Sequence, residues 1–94
     1  MALVLALISA TPKKSRNQYC KFAVSSVKER AFGYIVIEGT EITGQVEGVD
    51  YTCQSSSNVC TVSQRCWAIL QLTENSWHIP INADYTEVQG DYTP

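Results

Sequence analysis

Apolar and polar positions follow three successive patterns along this chain. Residues 1–8, Met-Ala-Leu-Val-Leu-Ala-Leu-Ile, are apolar without a break, and small Ser9, Ala10 and Thr11 follow them. Next, Tyr19, Phe22, Ala23, Val27 and Ala31 recur at spacings of three and four, the signature of one apolar helical stripe. Ser15 and Gln18 ahead of them match a capping box. This predicts a helix over 16–30 with a basic last turn, as the helix dipole favours. A polar spacer over the same residues is the alternative.

From Ala31 onward the pattern is that of strands. In 31–37, Phe32, Tyr34 and Val36 alternate with Ile35 and Ile37, so the two sets face opposite sides. Glu38, Gly39 and Thr40 read as a turn, after which 41–49 returns as a second strand, weakened by Gly44 and Gly48. Residues 50–59 read as a polar loop. The strongest later strand is 66–72, Cys-Trp-Ala-Ile-Leu-Gln-Leu; a loop at 73–76 then leads into 77–81. Pro80 cannot donate to a ladder, which assigns that strand to a sheet edge. Alternation puts Trp67 and Ile69 on one face, with Trp77 and Ile79 returning beside them as the expected core. The rival use of these aromatics is an exposed binding platform. The fold expected is mainly β, a small antiparallel meander of four or five strands, with one N-terminal helix or a basic spacer ahead of it. The divisions are 1–11, 12–30, a β domain at 31–81 and a frayed polar tail at 82–94.

Composition changes this picture in one respect. Ninety-four residues make one domain, and 45% hydrophobic with 17% charged is globular. A core of that size is marginal by itself, so the four cysteines matter. An even number in a small chain reads as two disulfides in an oxidising compartment. The apolar run and the small residues after it look like the core and cleavage region of a secretory signal without its basic start, as though Met1 lay inside a longer signal. Its length is too short to span a bilayer, which needs about 20 residues. Asn17, Gln18 and Tyr19 before Cys20 do not suit a lipid-bearing cysteine.

Cys53 and Cys60 flank Gln-Ser-Ser-Ser-Asn-Val, and a bridge between them is favoured because a short polar loop is readily pinned at its ends. Cys20 and Cys66 are the second candidate pair. Spacing alone does not choose among the three possible connectivities. The paired spacings of structural zinc sites are absent, as is Cys-x-x-Cys. His78 is the only histidine and sits between Trp77 and Ile79, a poor setting for a general base. No catalytic, metal or cofactor residues are assigned.

Charge is divided: six of seven bases lie between Lys13 and Arg30, and eight of nine acids come after Ala31. Such a basic arm could serve nucleic acid, a solvated linker, or contact with the chain's own acidic body. A pI near 5.2 and the lack of any recognition motif weigh against nucleic acid.

Phe32-Gly33-Tyr34-Ile35, and then Cys53 through Cys60-Thr61-Val62, resemble a family of short exported Gram-negative bacterial proteins of unknown function. The resemblance covers 1–10 and 32–81. It implies export and a Cys53–Cys60 bridge but no activity; Cys20 and Cys66 depart from that family's pattern. The function expected is that of an exported, non-enzymatic protein with a structural or interaction role, its partner another protein or an envelope component. The alternative is a secreted peptide effector such as a bacteriocin-like toxin.

Overall fold

The computed structural model describes residues 18–94, which form one open, six-stranded antiparallel sheet. The strands are β1 (Tyr19–Ala31), β2 (Tyr34–Glu41), β3 (Thr52–Arg65), β4 (Leu70–Thr73), β5 (Ser76–Pro80) and β6 (Thr86–Thr93), with a single 3-10 turn at Cys66–Ala68. Their order across the sheet is β4-β5-β2-β1-β3-β6. The arrangement is therefore an interlaced sheet of six strands and not a meander of four or five. The signal-like stretch at 1–11 and Ser15 of the capping box lie outside the described residues.

The expected helix is instead the central strand. Cys20, Phe22 and Val24 follow a period of two, and Cys20 and Phe22 are buried. Two irregularities in the register with β2, between Val24 and Ser26 and between Val27 and Glu29, then shift that phase. A β-bulge inserts one residue and bends the strand. The bends carry Arg30, at the far end of β1, to within 3.1 Å of Glu87 on β6. With Lys28–Glu38 at 3.9 Å, this sets the basic strand against the chain's own acidic residues; on β3, Arg65 pairs with Asp84 at 3.6 Å.

The main core lies on one face of the sheet: Cys20, Phe22, Ile35, Ile37, Val62 and Ile79. A smaller cluster of Ala23, Ile42 and Tyr51 lies on the other face, under the loop at 42–51. Lys21 holds that loop by donating from Nζ to Gln45 O at 2.8 Å and to Tyr51 Oη at 3.0 Å. Gln64 is fully buried, yet its Nε2 donates to Pro80 O and Asn82 Oδ1, and its Oε1 accepts from Arg65 N.

Other expectations change in detail. The strand read at 31–37 continues to Glu41, so Gly39 lies within it and the hairpin turn falls at Phe32 and Gly33. Gly39 passes so close to the Ala23 carbonyl that a Cβ would collide with backbone. Residues 42–51 form a loop, and the polar stretch 52–59 belongs to β3. The stretch read as a polar tail contains β6, which pairs with β3. The hairpin around 73–76 is present, but β5 is internal to the sheet. Pro80 is tolerated because Ile81 N–H donates toward β2, to Gly33 O, so the proline nitrogen faces the opposite side. On that side β4 has already ended at Leu70, the partner of His78.

Candidate interaction surface

Both cysteine pairs are joined. Cys20–Cys66 connects the central strand to the 3-10 turn across 46 positions with Cα atoms 5.0 Å apart; Cys53–Cys60 closes a separation of 7 within β3 at 5.7 Å. Two disulfides are consistent with an oxidising location. Among the described residues no helix is long and apolar enough to cross a membrane.

The Cys20–Cys66 bridge determines how the chain presents its first tryptophan. Cys66 is fixed by its sulfur and by its N–H, which donates to Gln18 O at 3.0 Å. The chain then makes one tight turn, with Ile69 N–H donating back to Cys66 O. A 3-10 turn advances by three residues, so the strict alternation expected of 66–72 is lost. Ile69 turns inward onto the core, while Trp67 points outward and is 67% exposed. Trp67 is thus not a core residue. Trp77, the second tryptophan, does pack on the core.

Beyond Trp67 the chain becomes β4, a sheet edge in which every residue is exposed, Leu70 and Leu72 included. Sheet edges are usually guarded by charge, proline or a covering loop, because unpaired amides and carbonyls invite another strand. Leu-Gln-Leu-Thr has no charge and no proline. Beside it, Phe22, Ile69, Trp77 and the Cys20–Cys66 bridge, together with Glu41 and Gln71, line a hollow of about 230 Å³. Small-molecule pockets run from about 300 to 1,000 Å³, so this hollow suits a single side chain better.

His78 lies opposite Leu70 and stacks on Tyr34, with centroids 4.5 Å apart and 23° between planes. The Tyr34 hydroxyl donates to Glu29 Oε2 at 2.7 Å, and that bond, with burial, raises its pKa above the ordinary phenol value. All four cysteine sulfurs are in disulfides, so none of them is a thiol beside His78.

Trp67, expected beside Ile69 in the core, is instead exposed because the anchored Cys66 starts a turn before it. Asp91 lies in β6, within the stretch whose polar sequence suggests a tail. Its Oδ1 accepts from Ser56 Oγ at 3.0 Å and from Asn58 Nδ2 at 2.8 Å.

Comparison of the chain with protein-family models, with curated proteins and with solved structures finds no match in any of the three.

Proposed function

We propose that this chain is a small exported, non-enzymatic protein that binds another protein or an envelope component through the surface centred on Trp67 and β4. The observation that carries this reading is a tryptophan held 67% exposed by a disulfide-anchored turn, next to an uncharged sheet edge. Tryptophan is the residue type most enriched where binding energy concentrates, and exposing one without a partner brings no stability. Export is supported by the apolar segment with small residues after it and by the two disulfides, and the resemblance to short exported Gram-negative proteins belongs to the same proposal. The non-enzymatic reading is supported by sulfurs committed to disulfides and by His78 committed to the Tyr34 ring.

Site-specific photo-crosslinking in exporting cells tests the binding role. A photoreactive phenylalanine analogue replaces Trp67 in one variant and exposed Val49, in the loop at 42–51, in another. A discrete adduct from position 67 and none from position 49 is the expected result; equal or absent labelling at 67 overturns the reading. The mass of protein recovered outside the cytoplasm tests export. A recovered chain still beginning at Met1 counts against it.

A further inference from the structure

The sheet also contains an opening between two of its internal strands. β1 pairs with β3 only over 19–23, whereas its pairing with β2 continues to Ala31. Past Ala23, no strand among the described residues pairs with the β3 side of β1. β3 is diverted at that point. Its register with β6 jumps from Gln54↔Asp91 to Val59↔Gln89, so 55–58 stand out from the ladder opposite the single residue Gly90. The Cys53–Cys60 bridge closes the neck of this excursion, and Asp91 holds its tip through Ser56 and Asn58. Gly90 has φ +136°, and a Cβ there would lie 2.7 Å from Gln54 O, so the tight crossing needs glycine.

The diversion leaves a cleft of about 430 Å³, lined by residues 24–27, 57–59 and 90–92. Consecutive residues of each strand line it, so strand edges form its walls and not one sheet face, where lining residues would alternate. It adjoins a second cleft of about 510 Å³, the two sharing Val24, Ser25, Asp91 and Tyr92. Asp91 stands at this junction with hydrogen bonds only from neutral donors among the described residues.

We propose that this cleft accepts an extended peptide segment of a partner as an added strand. The peptide backbone pairs with residues 24–27 of β1, and a Lys or Arg of the peptide lies on Asp91. A strand paired on one side directs half its amides and carbonyls away from its neighbour, and strand addition satisfies them. The charge selects the occupant: neither free edge of a second copy, β4 or β6, has a cation to offer Asp91. This site is separate from Trp67 and stands whether or not that surface binds.

The test is a titration of the isotope-labelled, disulfide-intact protein with the capped peptide Thr-Val-Lys-Val-Thr, followed by amide chemical shifts. Saturable shifts centred on Ser25, Ser26 and Val27 are expected, with a weaker response to the Thr-Val-Glu-Val-Thr analogue. Asp91→Asn is expected to reduce affinity for the Lys peptide about two- to fivefold, as the loss of an exposed ion pair would. A Lys peptide N-methylated at its central amides, which leaves the protein untouched, is expected not to bind. Equal binding of the methylated peptide, equal response to the Glu peptide, or shifts confined to other residues each overturn the proposal. So do shifts at 24–27 that appear on concentrating the protein alone, which would make a second copy the occupant.

Discussion

Phe22 on β1 and Trp77 on β5 meet across the intervening strand β2, with ring centroids 4.5 Å apart and 47° between their planes. Tilted contacts of this kind contribute beyond the area they bury. Trp77 Nε1–H also reaches the Gly39 carbonyl at 3.4 Å, tying the ring to β2. This pair, and not a Trp67–Trp77 hairpin, forms the aromatic centre of the fold.

The two tryptophans should therefore respond oppositely to truncation. Trp77→Ala is expected to cost about 3 kcal/mol, the low end for a buried aromatic because Trp77 keeps some exposure. Trp67→Ala should stay within about 0.5 kcal/mol, as surface changes do. Chemical denaturation midpoints decide; a large loss for Trp67→Ala would show that the turn depends on that ring.

The disulfides should differ in their worth. By loop entropy, the 46-position closure contributes about 4 kcal/mol and the 7-position closure about 2.5 kcal/mol. Denaturation of the paired Cys20→Ala/Cys66→Ala variant should show the greater loss. The reverse order would mean that the 55–58 excursion, and not the unfolded chain, depends on its bridge.

Gln64→Leu keeps volume but removes every bond that the amide makes. The Pro80 carbonyl loses one partner and Asn82 another. Leaving a buried polar group unsatisfied costs about 1–3 kcal/mol, so a loss in that range is expected from denaturant titration. An unchanged midpoint would mean that water replaces the amide.

Tyr85 supplies a test in alkali. Burial first, and then its hydrogen bond to Glu87, raise its pKa well above the ordinary phenol value of about 10. The folded state thus keeps a proton that the unfolded chain gives up, and stability falls as pH rises. The contribution is whole below pH of about 10 and is lost from there toward the raised folded value. Comparing denaturation at pH 8 and 11, Tyr85→Phe should lose less stability than the parent.

The β class and the hairpin at 73–76 were legible because alternation and turn chemistry agreed there. β1 was not, and the reason is geometric. Phe22 and Ala23 belong to clusters on opposite faces, and bulges after Val24 and Val27 break the period of two beyond them, so apolar residues from both faces together imitate helical spacing. β6 was illegible for another reason: as an edge strand it buries only Gly90 fully, so its sequence stays polar like a tail. At the candidate surface, β-like composition concealed a 3-10 turn, and the exposure of Trp67 follows from that turn. The cleft beside β1 depends on where two registers stop, which no local pattern records.

The strand order also sets the tempo at which this protein forms. β1 is made first but completes its pairing only when β3 arrives, and β4 must cross the whole sheet from β3 before β6 returns to the other side. Only β1–β2 and β4–β5 are local hairpins, and such non-local wiring places a chain among the slow folders of its size. During that interval the seven-position thiol pair can find its partner by a short search, while Cys20 waits for Cys66, forty-six positions later. The bridge that orients Trp67 is thus the later of the two to close, and the candidate binding surface takes shape only as the chain finishes folding.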